Sequence, residues 1–204
     1  MKEIKNIIFD LGGVLLNIDY QKTADAFKML GVRQFDELYS QANANHLFEL
    51  LETGDISEDG FYQSMEEYCD AGTTRQQVQN AWNAILLDFR MDSLSALENL
   101  KGKYNLYLLS NTNSIHHTDF NKTLFDETGK TSLDDYFIKS YYSHLIRMRK
   151  PYAATYEWVL NDGNMTAGET LFIDDSINNI KGADGVGIRT HLLLPDEKLG
   201  DLGL

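Results

Sequence analysis

The sequence predicts an α/β fold: a parallel sheet covered by helices on both faces, with an all-helical segment inserted after the first strand. Three observations predict it. Short β-branched or aromatic runs recur along the chain, helical patterns separate them from residue 91 onward, and only helical periodicity occupies the stretch between the first strand and that point. Expected strands are Ile4–Phe9, Asn105–Leu109, Phe137–Tyr142, Thr170–Ile173 and Arg189–Leu194. Expected helices are Met91–Leu100, Ser114–Leu124, Tyr152–Leu160 and Ile177–Ala183, with Pro151 placed at the first position of the third. Alternation of this kind implies a parallel, doubly covered, Rossmann-like sheet.

From about Ile18 to Asp88 no convincing strand is legible, while His46–Leu51 and Phe61–Tyr68 carry helical spacing. Thr53-Gly54-Asp55-Ile56-Ser57 interrupts this segment, with Gly54 as a turn and Ser57 as an N-cap whose capping-box position holds Gly60 instead of an acid. The division expected is a core of residues 1–17 and 89–204 and a helical cap of residues 18–88, hinged near Leu16–Asp19 and Leu87–Asp92.

The chain has 204 residues, enough for one good core plus a large insertion. Its 18 Lys and Arg against 31 Asp and Glu leave a formal charge of −13, a field that repels nucleic acid and anionic membrane. An anionic substrate then needs a local metal and placed cations. One cysteine, Cys69, excludes an internal disulfide and a cysteine-rich zinc site. Asp10 interrupts the N-terminal apolar run, no leader cleavage pattern follows it, and no apolar stretch of about 18 residues spans a bilayer. The expectation is a cytoplasmic protein, a monomer by default.

Four clusters carry chemistry. Ile7-Ile8-Phe9-Asp10-Leu11-Gly12-Gly13 ends an apolar strand in a carboxylate and two glycines, where an open parallel sheet binds its ligands. Leu108-Leu109-Ser110-Asn111-Thr112-Asn113 ends a second strand in short hydrogen-bonding groups suited to phosphate at a helix N-terminus. Met148-Arg149-Lys150-Pro151 places a cation beside a rigid helix start, and Phe172-Ile173-Asp174-Asp175-Ser176 ends a strand in paired acids that a hard divalent cation neutralises. Singly, each also reads as a capped turn or a solvated charge. Together they supply nucleophile, phosphate donors, cation and metal ligands at strand ends.

In order and spacing these clusters resemble the four signature motifs of the haloacid dehalogenase-like hydrolase superfamily, from Lys5 to about Leu194, and the helical insertion resembles that superfamily's cap. The resemblance implies that Asp10 attacks phosphorus to form an aspartyl-phosphate. It further implies that Ser110 and backbone N–H groups near Asn111 hold the phosphoryl group and that Lys150 neutralises charge between Asp10 and phosphate. The resemblance also implies that magnesium is held by Asp10, the Gly12 carbonyl, Asp174 and Asp175. The acidic pair favours phosphate esters over haloacids, and the implied partner is a small phosphorylated metabolite. Ser110–His116 and the third and fourth clusters are similar to a bacterial subgroup that includes an α-glucose-1-phosphate phosphatase.

Gly12 departs from the pattern, since phosphatases of the superfamily usually carry a general acid–base aspartate there. Three readings stay open: a good leaving group, a substitute group or ordered water with Asp19, His46 and His116 as candidate residues, or a phosphate- and metal-binding protein with little turnover. A haloacid dehalogenase and a phosphotransferase are further alternatives. His46, Phe48, Tyr62 and Trp82 are candidates to face a ligand from the cap, though aromatics at helical spacing are mostly core; His117 and His144 carry no assigned role.

Overall fold

The computed structural model describes residues 3–35 and 47–204. His46, one of the candidate acid–base substitutes, lies outside the described residues. Five strands form one parallel sheet: β1 (Asn6–Phe9), β4 (Asn105–Ser110), β5 (Lys139–Tyr142), β6 (Thr170–Asp174) and β7 (Arg189–Leu192), in the order β5-β4-β1-β6-β7. The central strand β1 is buried along its whole length, as a strand covered on both faces must be. Its side chains alternate: Ile7 and Phe9 join one apolar cluster with Leu94, Leu97 and Phe120, while Ile8 joins another with Tyr107, Tyr156 and Phe172.

The helices that supply those clusters are α5 (Met91–Leu100), α6 (Ser114–Thr128), α8 (Ala153–Asp162) and α9 (Ile177–Gly185), with a single turn α7 (Ser143–Ile146) after β5. Helix α5 has the span expected from sequence, and α6 runs one turn longer, to a left-handed Gly129 that closes it. Helix α8 starts later than expected, because Pro151 precedes the N-cap Tyr152 and is not the first helical residue. The Lys150–Pro151 peptide is cis, and the Pro151 carbonyl lies against Gly182 of α9, where a Cβ would collide with it. Packing against α9 therefore keeps this residue in the approach to the helix.

Helices α1 (Tyr20–Met29), α2 (Leu47–Glu52), α3 (Glu58–Glu66) and α4 (Arg75–Asn83) build a third apolar cluster around Phe27, Phe48, Phe61 and Trp82. Phe48 and Trp82 stack at 5.1 Å, and Tyr62 is buried with them, so these aromatics are chiefly core. Ser57 caps α3 through the Gly60 N–H at 3.2 Å, as the sequence suggests.

One feature corrects the sequence reading. The two chain crossings are strands β2 (Leu16–Ile18) and β3 (Leu86–Phe89), paired antiparallel, so the insertion is not wholly helical at its base. Bonds from Asp19 N to Ile85 O at 2.9 Å and Arg90 N to Leu15 O at 2.8 Å extend the pairing at both ends. Three- and four-residue strands are too short to show a period, and their partners are distant in the chain. Among the described residues, no helix is long and apolar enough to cross a membrane.

Candidate active site

The carboxyl ends of β1, β4 and β6 open into a cavity of about 410 Å³ whose walls include Asp10, Gly12, Ser110, Asn111, Lys150 and Asp175. Asp10 follows β1 directly, and its Oδ1 accepts bonds from Leu11 N at 2.6 Å and from Lys150 Nζ at 2.8 Å. Its Oδ2 is left unengaged among the described residues. Lys150, only 1% exposed, also donates to Asp174 Oδ2 at 2.7 Å, so one ammonium bridges two buried carboxylates. Burial pushes the lysine pKa down, but Asp10 and Asp174 outweigh it and the net shift is upward. Lys150 therefore stays charged. Burial and the neighbouring Asp174 push the Asp10 carboxyl up, against the pull of Lys150.

The two adjacent acids are not equivalent. Asp174 is fully buried and bonded on both oxygens: besides Lys150 it accepts from Ser176 N at 2.8 Å and from Asn179 Nδ2 at 3.0 Å on both oxygens. Asp175 faces the turn of Gly13, which has φ +71° and no room for a Cβ beside that carboxylate. Arg90 holds this turn from behind, donating to the Gly13 carbonyl at 2.6 Å. Asp10, Asp174 and Asp175 each present an oxygen within 4.8 Å of the others. Three hard oxygen donors gathered this closely, with one ammonium among them, suit a divalent cation such as magnesium.

Asn111 plays a part that its position alone does not reveal. Its side chain donates to the Lys150 carbonyl and accepts from the Lys150 N–H, both at 2.9 Å, so it braces the lysine. Ser110, buried at the end of β4, lines the cavity beside it. The next residues are tied to α7, where the Ser143 hydroxyl accepts from Thr112 N at 2.9 Å and donates to Thr112 O at 2.8 Å.

The described candidates for a substitute acid–base have structural partners. Asp19 caps α1, accepting from Gln21 N at 2.9 Å. His116 stacks on Trp82 at 4.7 Å, donates from Nε2 to the Trp82 carbonyl at 3.1 Å and accepts at Nδ1 from Asn113 at 3.1 Å. Burial lowers its pKa to about 4, with the Trp82 bond opposing, which keeps it neutral. His117 and His144 pack with Tyr142 in an aromatic group.

Asn179, Arg90, Tyr20, Glu52 and Arg149 escaped the sequence reading as site residues. Asn179 lies five residues after Asp174, just past the fourth cluster, so its spacing was available. Glu52 carries no local signal, because only the approach of α2 to Arg149 brings it to the cavity.

A sequence profile of the haloacid dehalogenase-like hydrolases matches residues 4–187. The D-ribitol-5-phosphate phosphatase of Bacteroides thetaiotaomicron is 32% identical over 187 residues, 92% of this chain and 90% of that protein. A sesquiterpene phosphatase of Aspergillus oryzae is 29% identical, covering 90% of this chain and 87% of its own length. Among solved structures, a HAD family enzyme from Bacteroides thetaiotaomicron in complex with magnesium and inorganic phosphate superposes with a TM-score of 0.89. It is 35% identical, covering 98% of this chain and all of that one (100%). With its parallel sheet, its four clusters gathered at the strand ends and a profile match over most of its length, this chain belongs to the haloacid dehalogenase-like hydrolase family.

Proposed function

We propose that the protein is a magnesium-dependent phosphatase acting through an aspartyl-phosphate on a small phosphorylated sugar or polyol. The observation that carries this reading is the state of Asp10: one oxygen is pinned by Lys150 and its own turn, and the other is unengaged at the mouth of the sheet. Asp10 Oδ2 attacks phosphorus, the ester P–O bond breaks, and the alkoxide leaves with a proton from water. Water then attacks the phosphorus of the acyl phosphate, restoring the Asp10 carboxylate and releasing inorganic phosphate.

Lys150 holds the charge of Asp10 and the incoming phosphoryl group together, while Ser110 and the backbone around Asn111 orient its oxygens. Asn111 and Asn179 keep the lysine and Asp174 in place. Asp10, Asp174, Asp175 and the Gly12 carbonyl are the groups that would hold magnesium. Bound there, it neutralises phosphoryl charge and lets Asp10 ionise despite burial. The D-ribitol-5-phosphate phosphatase relative supports a polyol phosphate as substrate. The core groups themselves read only the phosphate, so the helical insertion, residues 18–88, is the part that selects what is attached to it.

Phosphate release from sugar phosphates, polyol phosphates and acyl phosphates, with magnesium and with chelator, tests this reading. Expected is magnesium-dependent release that Asp10→Asn lowers by about 10⁴-fold or more. Full activity in that variant would remove Asp10 from the mechanism. Gly12 favours a second reading, a protein that binds phosphate and metal with little turnover. Magnesium binding without release across the panel would select it.

A further inference from the structure

The cavity lining also includes Leu16, Ile18, Ile85 and Leu86 and two charged side chains, Glu52 and Arg149. Glu52 ends α2, and its Oε2 lies 3.1 Å from Arg149 Nη2, each side chain 17% exposed. The pair is not saturated. Its contact lacks hydrogen-bond alignment, so Glu52 Oε2 and Arg149 Nε are both buried without a hydrogen-bond partner among the protein's described groups. Glu49 approaches the other Arg149 terminal nitrogen only to 3.8 Å. A buried ion pair with spare donor and acceptor capacity is costly unless a further polar group completes it.

Holding the helices to the core does not require this pair to face the cavity. Outside the cavity, Arg147 pairs with Asp55 and Tyr152 donates to Glu49 at 3.3 Å, while Gly54, at φ +67°, lets its backbone pass close to the His144 carbonyl. Arg149 is also the chain neighbour of Lys150, and Glu52 lines the same cavity as both.

We infer that Glu52 and Arg149 form a hydroxyl-binding subsite that makes this cavity selective for polyhydroxylated alkyl phosphates over apolar ones. The inference rests on the phosphatase reading for the position of the phosphate. Glu52 accepts a bond from one substrate hydroxyl and Arg149 donates to a neighbouring one, the arrangement a vicinal diol satisfies. An unsubstituted alkyl chain leaves both groups desolvated and unpaired, which is the strongest form of discrimination a small pocket has.

Calorimetric binding to the Asp10→Asn protein in magnesium tests this without needing turnover. The probes are a pentitol 5-phosphate and n-pentyl phosphate, matched in carbon number. The pentitol ester is expected to bind about tenfold tighter or more, and Glu52→Met and Arg149→Met each to bring that preference below about threefold. Glu52→Asp, which keeps the acceptor, should retain part of it. Equal binding of the two esters, binding of neither, or a preference that survives Glu52→Met would overturn the subsite. Phosphate release by the wild-type protein from a simple aryl phosphate scores the phosphatase reading separately.

Discussion

On the core side of the cavity, Asp10, Lys150 and Asp174 stand at or beside strand ends, and each has at least two fixed partners. On the helical side, Tyr20, Glu52 and Trp82 come from three different helices and meet the core through a few side-chain contacts and a short two-stranded ribbon. The first wall is rigid because sheet register sets its spacing; the second depends on packing between two apolar clusters. Chemistry that tolerates little misplacement sits on the sheet. Selection of what hangs from the phosphate sits where helices can be re-packed without disturbing the strands.

The largest expected effect tests the rigid wall. Lys150→Met leaves the buried Asp10 and Asp174 carboxylates facing each other unneutralised, and should cost about 3–5 kcal/mol in urea unfolding. Magnesium should restore part of that loss. A variant as stable as the wild type would show that this charge triad does not hold the wall.

His116 probes the seam between the walls, since it reaches from α6 to stack on Trp82 of α4. Its pKa is depressed from 6.5 to about 4 by burial. Below pH 6.5 the unfolded chain therefore binds a proton that the folded one refuses. The stability it contributes is complete above that pH, is lost as pH falls toward 4, and amounts to about 3 kcal/mol. Subtracting the stability–pH curve of His116→Gln from that of the wild type should isolate this slope; parallel curves would contradict it.

A smaller effect sharpens the question posed by Gly12. A Cβ there meets Ile18 Cδ1 at 3.0 Å, the far end of a flexible side chain on the ribbon. Gly12→Asp should therefore be accommodated and place a carboxyl two residues after Asp10. The expected outcome is a roughly tenfold gain in kcat for alkyl phosphates, which need leaving-group protonation, and none for acyl phosphates. A fall with both would mean that the Ile18 contact, and through it the ribbon, governs the site.

The sequence by itself determined the parallel sheet, the covering helices and the four strand-end clusters. These signals are local: alternation within a strand, helical spacing, and a carboxylate or hydroxyl where an apolar run stops. Ser57 as a cap and the span of α5 were legible for the same reason. Only the tertiary structure decided how buried charges are completed. That Lys150 bridges Asp10 and Asp174, that Asn111 braces Lys150 with its side chain, and that Asn179 donates to Asp174 depend on neighbours from separate elements. The β2–β3 ribbon, the displacement of Pro151 from α8 and the meeting of Glu52 with Arg149 follow the same rule. A buried polar group must find partners wherever the fold brings them, and distance along the chain carries no record of that choice.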